Sequence, residues 1–299
     1  MRSVYHAGEV EVQSRAGVRT QAERIGRGIH SVIPPAARSF MLELPMAIVG
    51  SVGADGRVWA SVISGEPGFI RAIDERAILI GALPADGDPL GENLKEVDQV
   101  GVLLIEPSSR RRMRLNGRAE LGVGGGIRVE ASQVYSNCPK YIQAREWESV
   151  NSGARRERRV SRTTSLDEEQ RLLISSADTF FIASYHPEGG ADASHRGGRP
   201  GFVSVADERK LLWPDYPGNQ MFQTLGNIES NPRAGLLFID FERGGTLQLS
   251  GKARVIWDED AKNRVAGAER VVEFEVERVV EIARAVPLRW RLLDYSSFI

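Results

Sequence analysis

The chain has 299 residues, 41% of them apolar and 26% charged, with a formal net charge of −1. That length outgrows a single hydrophobic core and leads to an expectation of about two domains. The near-neutral balance excludes a general attraction to nucleic acid or to an anionic membrane, so any basic function must be local. Cys138 is the one cysteine and excludes an intrachain disulfide, and the opening residues lack the apolar core of a signal peptide. No apolar run reaches the roughly 18 residues of a membrane helix, so a soluble cytoplasmic protein is expected.

Residues 9 to 37 carry Val12, Val18, Ile25, Ile29 and Val32 at near-helical spacing, and Pro34-Pro35 ends that helix or opens another through Phe40 and Leu44. The period then changes. MAIVGSV, a turn at Ala54-Asp55-Gly56 and RVWASVIS predict a hairpin. Further strands are expected over 69–73, 77–83, 100–106, 112–121 and 127–135, with a short helix over 90–97. After Tyr141 the pattern fades, and 151–164, with Arg155, Arg156, Arg158, Arg159 and Arg162, reads as a basic linker. Ser165-Leu166-Asp167-Glu168 has a capping-box pattern and predicts a helix start. Strands resume at 179–185, with a turn over 187–190. Beyond them, 258–266 reads as a short helix. Val272, Phe274 and Val276 alternate with Glu273, Glu275 and Glu277 as a strand with one wet face, and a last strand is expected near 288–293.

Two stretches match without a gap. Residues 51–76 lie on 184–209 with 11 identities in 26 positions, among them Ser61/Ser194, Gly65/Gly198, Pro67/Pro200 and Phe69/Phe202. After a one-residue shift the match continues through Asn93/Asn227, Gly101/Gly235, Leu115/Leu249 and Gly117/Gly251. A repeat this long predicts two copies of one β-rich domain.

The second copy is richer in chemistry. His195, Arg196 and Arg199 sit among Gly197, Gly198 and Gly201, where glycine lets backbone approach an anion and arginine grips phosphate oxygens. Asn219 follows Gly218 just before an expected helix, whose free N–H groups also favour an anion. Trp213 and Tyr216 add flat apolar surface. Singly, each signal is ordinary: a Gly-Gly-Arg-Pro turn, a core tryptophan, a structural histidine. Their order and spacing suit a phosphorylated aromatic cofactor.

Arg196–Val203, Pro214–Asn219 and Asn231–Phe238 together resemble the pyridoxamine 5'-phosphate oxidase-like FMN-binding split barrels, and are most similar to an uncharacterised branch of them. The resemblance covers both copies and is specific in the second. It implies a mainly β, α+β protein of two tandem six-stranded Greek-key split barrels paired as a pseudo-dimer. FMN would then lie at the interface of the copies. Ser194, His195, Arg196 and Arg199 would lie near the ribityl-phosphate or ring edge, and Trp213, Pro214 and Asp215 along the isoalloxazine. Gly218, Asn219 and Gln220 would lie near the phosphate. Tyr216 joins this set, and Lys140, in an Asn137–Tyr141 stretch that also resembles the branch, is a candidate for the phosphate.

There are departures. The family's Arg-x-x-Leu-Leu-Lys strand and Ser-Arg-Lys turn are replaced by Ser194 and by Gly218-Asn219-Gln220, and the substrate-phosphate arginine-histidine pair has no match. Pyridoxamine phosphate oxidation itself is therefore not expected. The first copy carries Val62-Ile63-Ser64-Gly65-Glu66 opposite the basic stretch, and Asp86 and Asp88 opposite the turn. Two carboxylates repel a phosphate, which predicts one FMN per chain and a first copy that serves as the far wall of the cleft.

The expected organisation is an N-terminal helical segment over 1–37, a first split barrel with a degenerate site over 38–150, the linker over 151–164 and an FMN-binding split barrel over 165–299. The expected function is an FMN-dependent oxidoreductase acting on a small molecule or with a redox partner protein, with no metal; whether it pairs into a homodimer is open. The alternatives are a non-catalytic flavin or electron-relay module and a haem-binding barrel with His195 as axial ligand. Cys138 is either a pocket-lining thiol or a small buried apolar group.

Overall fold

Two antiparallel sheets carry the chain, and the second repeats the first strand for strand. The computed structural model describes residues 3–122, 124–150, 159–258 and 267–299. Three helices open it: α1 (Ala7–Arg15), α2 (Arg19–Gly26) and α3 (Pro35–Leu42). The single helical pattern expected over 9–37 is thus broken, first at Gly17, whose φ of +72° is a conformation open to glycine. Pro35 opens α3 at a position where its missing N–H costs nothing.

The first copy comprises β1 (Met46–Val52), β2 (Val58–Ser64), β3 (Ile70–Ala72), β4 (Ala77–Ile80), α4 (Leu90–Glu96), β5 (Gln99–Glu106), β6 (Arg111–Gly122) and β7 (Gly126–Ser136). Its sheet order is β2-β1-β5-β6-β7-β4-β3, so the chain crosses from β4 at one side to β5 beside β1, a Greek-key path. Then come β8 (Ala144–Ser149), β9 (Val160–Thr163) and α5 (Glu168–Ser176). The second copy comprises β10 (Thr179–His186), β11 (Gly190–Gly197), β12 (Ser204–Val205), β13 (Lys210–Asp215), α6 (Gln223–Ser230), β14 (Arg233–Ile239), β15 (Thr246–Ile256) and β16 (Arg270–Ile282). Its order, β11-β10-β14-β15-β16-β13-β12, is the same path. Even the bulges correspond, at Asn116/Gly117 in β6 and at Ser250/Gly251 in β15. The protein is therefore two tandem split barrels with open sheets. Each path has seven strands rather than the expected six, the addition being the three residues of β3 and the two of β12.

Several local expectations are corrected. The end of the expected linker is β9, which pairs with β16 and sends the Arg162 guanidinium to the Gly87 carbonyl at 2.9 Å. The expected arginines 155, 156 and 158, like most of the expected 258–266 helix, lie outside the described residues. Asp167, not Ser165, caps α5, accepting from the Gln170 N–H at 2.9 Å while the Gln170 side chain returns to the Asp167 N–H. Where the pattern fades, β8 pairs with β17 (Leu288–Asp294), setting Trp147 opposite Trp290.

Alternation along the strands builds three cores. In β1, Ala47 and Val49 face the first copy's own core, while Met46 and Ile48 face outward. In β10, Phe180 and Ile182 face the second core, while Phe181 and Ala183 face outward. The outward sets meet, with Leu103, Ile105, Leu237 and Ile239, in a shared core between the copies. Burial on both faces is why β1 reads as an unbroken apolar run. Glycine sets the approach. A Cβ on Gly101 of β5 would meet the Asp192 Cα of β11 at 2.5 Å, and one on Gly235 of β14 would meet the Trp59 Cα of β2 at 2.6 Å. The two contacts are related by the repeat.

Gly235→Val should therefore lower stability by about 1–3 kcal/mol, since the collision is with backbone that cannot rotate away. Gly91→Ala, at a helical position with open space around it, should leave the melting temperature unchanged or raised. Thermal unfolding of both variants checks the pair.

Candidate functional site

Where the copies meet, β6 of the first lies beside β11 of the second. The run Arg110-Arg111-Arg112-Met113-Arg114 lies on β6 from Arg111 onward, and the strand period of two turns Arg112 and Arg114 to one face. That face lines a cleft that spans about 750 Å³, its open mouth included. Ser194, His195 and Arg196 of β11 form the adjoining wall, and Pro214–Tyr216 and Gly218–Gln220 run along its rim. The first turn of α6, Gln223 to Leu225, closes the end.

Arg114 is the buried member of the basic set. It donates through Nη1 to Asp192 at 3.1 Å and through Nη2 to the Ser194 hydroxyl. Burial opposes its charge, but the Asp192 carboxylate holds its pKa above the ordinary arginine value. Asp192 also accepts from the Tyr135 hydroxyl at 3.3 Å and the Thr224 hydroxyl at 3.1 Å. Arg112 has no such partner among the described residues. Burial, with Arg114 and Arg196 nearby, pushes its pKa down to about 9. Arg196 is lowered as well, by burial foremost, with Asp215 opposing and Arg114 adding to the effect. Asp215 is itself committed to Arg270 at 2.9 Å.

His195 is buried and its pKa is held well below 6.5, by burial first and then by the surrounding arginines. Its Nδ1 lies 3.1 Å from the Arg112 guanidinium, which can only donate. The ring is therefore neutral, with its proton on Nε2.

Backbone strain gathers at the same place. Of five non-glycine residues with positive φ among the described residues, Tyr141, Gln220 and Phe222 line this cleft. Each such conformation costs about 1–3 kcal/mol, and such residues concentrate at functional sites. Phe222 stands at the N-cap of α6 in the left-handed region, and no side chain caps that helix. The first-turn N–H groups and the positive end of the helix dipole are thus turned to the cleft. Buried polar atoms without a partner among the described residues also converge here: Nε of Arg112, Arg114 and Arg196, both amide atoms of Asn137, and Oε1 of Gln220.

Nine residues singled out in the sequence are brought together: Ser194, His195, Arg196, Pro214, Asp215, Tyr216, Gly218, Asn219 and Gln220. Three are placed elsewhere. Trp213 is in the second core, edge-on to Phe180 at 5.2 Å. The exposed Arg199 guanidinium lies 4.7 Å from the Tyr295 ring, and Lys140 Nζ lies 5.1 Å from the Phe298 ring. Arg112, Arg114, Asn137 and Tyr141 were missed. The period-two arginines of an expected strand were a readable signal for the first pair. Asn219 does not begin α6 directly: three residues intervene, and its Oδ1 accepts from the Met221 N–H at 3.1 Å.

At the corresponding place in the first copy, the chain's own side chains hydrogen-bond to one another. Gln248 occupies the repeat position of Arg114, and Thr246 that of Arg112. The Asp88 carboxylate accepts from the Ser61 hydroxyl at 2.6 Å, the Leu90 N–H at 2.9 Å and the Gln248 amide at 3.1 Å. β9 lies over it, with Val160 against Gly87.

The chain matches the model of the family described as pyridoxamine 5'-phosphate oxidase twice, over residues 33–148 and 166–284. Similar solved structures include HupZ of Group A Streptococcus, 18% identical over 44% of this chain and 98% of that one, with a TM-score of 0.32. Another is a protein of Clostridium acetobutylicum related to general stress protein 26 of B. subtilis, 14% identical over 42% and 92%, with a TM-score of 0.32. No curated protein matches. No helix among the described residues is long and apolar enough to cross a membrane.

Burial raises the Asp88 pKa from 3.8 to about 6, against its hydrogen bonds. Between those values the folded state holds a proton that the unfolded state has lost, so stability falls as pH rises through that window and levels off above it. Asp88→Asn should remove up to about 3 kcal/mol of that dependence. Denaturant titrations of both proteins at a series of pH values check this.

Proposed function

From its membership of the pyridoxamine 5'-phosphate oxidase family, which includes flavin-binding oxidoreductases, we propose that this chain binds FMN in the cleft between its two copies and acts as an FMN-dependent oxidoreductase. The observation that carries the reading is the set of Arg112, Arg114 and Arg196 around one cleft, their Nε atoms buried and unpartnered among the described residues. An uncompensated buried cation is unfavourable, and a bound phosphate relieves it. The uncapped first turn of α6 supports an anion in the same space.

The residues present fit the cofactor. Arg112 and Arg196, with the N–H groups of α6 and the Gly218–Gln220 turn, would hold the phosphate, while Pro214 and Asp215 would run along the ring. When bound, the flavin supplies hydride and electron transfer. The chain's own part is to hold the ring, to keep His195 neutral with an Nε2–H donor, and to present positive charge to negative charge that develops in the cleft. Asp192, through Arg114, fixes the basic wall in place. Lys140 and Arg199, with no carboxylate against them among the described residues, are spare cations for a redox partner protein.

We assign one FMN per chain, because Asp88 fills the counterpart site with a carboxylate of the chain itself. For haem, no specific observation favours the alternative: His195 Nδ1 is engaged by Arg112. Copies related by the repeat already supply the pairing of a two-chain barrel, so a homodimer is not required for the site.

Arg112→Met and Arg196→Met together should lower FMN affinity by roughly 100-fold or more, at about 1.5–3 kcal/mol for each charge-assisted contact. The same change should raise the melting temperature of the flavin-free protein, since it removes two half-buried uncompensated cations. Equilibrium titration with FMN and melting of the apoprotein check both; unchanged affinity would sink the assignment.

A further inference from the structure

The charges of the cleft can be counted against the proposed cofactor, and the count bears on what binds beside it. Arg114 is matched by Asp192 at 3.1 Å, and Asp215 by Arg270 at 2.9 Å. His195 is neutral. Arg112 and Arg196 are then the two lining cations without a carboxylate of their own among the described residues. A phosphate monoester carries about −1.5 to −2 at neutral pH. It balances those two guanidinium groups and leaves no lining cation for a second anion. A cationic ligand fares no better, because the carboxylate of the lining, Asp215, is already paired with Arg270.

What the count leaves over is polar but uncharged. Asn137 lies just past the end of β7, its N–H on the Arg112 carbonyl at 3.3 Å. Both of its amide atoms are buried in the cleft wall without a partner among the described residues. Whichever way the amide is turned, one donor and one acceptor await a ligand. Such a group costs free energy until it is satisfied. Beside it, Tyr141 and Tyr216 are stacked at 5.3 Å with planes 22° apart, and the Tyr141 hydroxyl is already donated to the Pro217 carbonyl at 3.0 Å. That pair therefore offers aromatic faces rather than a free phenol.

We propose that the substrate is an uncharged, flat carbonyl compound of quinone-like shape, positioned by the Asn137 amide against the Tyr141–Tyr216 pair. The inference rests on the FMN reading above and deepens it. Nδ2 of Asn137 donates to the substrate carbonyl, and Oδ1 remains for a polar hydrogen of the same ligand or of water. Size is limited by the cleft, and charge is limited by the count.

The test uses the FMN-loaded full chain and a matched pair of probes, naphthoquinone and naphthoquinone sulfonate, titrated against the visible absorbance of the oxidised flavin. The expected result is that naphthoquinone binds at least about tenfold more tightly than its sulfonate. Asn137→Ala should weaken naphthoquinone by about tenfold, the factor for one hydrogen bond of about 1.4 kcal/mol. Asn137→Asp, which keeps the shape and loses the donor, should weaken it at least as much and serves if the alanine variant does not fold. Equal or tighter binding of the sulfonate, or wild-type affinity in both variants, overturns the proposal. Flavin content is measured first: a chain that takes up no FMN fails the underlying reading before any quinone is added, whereas a flavin-loaded chain indifferent to naphthoquinone fails this inference alone.

Discussion

The backbone contact at Gly101 and Gly235 is the constraint on which the rest depends. At each, a central strand of one copy comes so close to the hairpin of the other that a single methyl group would strike main chain. The shared core of Met46, Ile48, Leu103, Phe181 and Leu237 closes only at that spacing. Its consequence for chemistry is direct. With the copies that close, β6 of the first copy reaches β11 of the second, and Arg114 can pair with Asp192 across the boundary. No single copy contains the site.

The two halves then diverge from one geometry. At one end of the pseudo-dimer, arginine side chains face an open cleft and lack a full complement of acceptors. At the other, Gln248 replaces Arg114, and the Asp88 carboxylate takes the hydrogen bonds of Ser61, Leu90 and Gln248. One end holds arginines without carboxylates, a state that an anion would relieve, whereas the other holds a hydrogen-bonded carboxylate, with the uncharged Thr246 Oγ1 and Gln248 Oε1 left without partners among the described residues. Strain follows the same division, since Tyr141, Gln220 and Phe222 hold positive φ at the open end. A stable fold tolerates such departures where binding recovers the cost.

Much of this was legible in the sequence. The strands of both copies announce themselves through alternation or, as in β1, an unbroken apolar run, and the repeat forecasts a second copy of the fold. The loop residues Pro214–Gln220 and the strand residues Ser194–Arg196 are found from their order along the chain. What was not legible depends on contact between distant segments. Arg112 and Arg114 are 78 to 83 residues from their partners on β11, and only the pairing of the copies brings them there. Trp213 carries the aromatic surface of a ring-binding residue, but the alternation along β13 turns it into the core. Arg199 and Lys140 are close in sequence to lining residues, but their charged groups lie over the rings of Tyr295 and Phe298, past the last strand, instead. β8 and β9 were missed because each is short and finds its partner far away, on β17 and β16.

The central claim is that the arginine-lined cleft is a phosphate site belonging to a flavin. Comparing the affinity and stoichiometry of FMN with those of riboflavin, which has the same ring and no phosphate, tests it most directly. The account predicts one FMN per chain, bound at least roughly 100-fold more tightly than riboflavin, as expected for two or more charge-assisted contacts. Equal affinity for the two, or no binding of either, would contradict it.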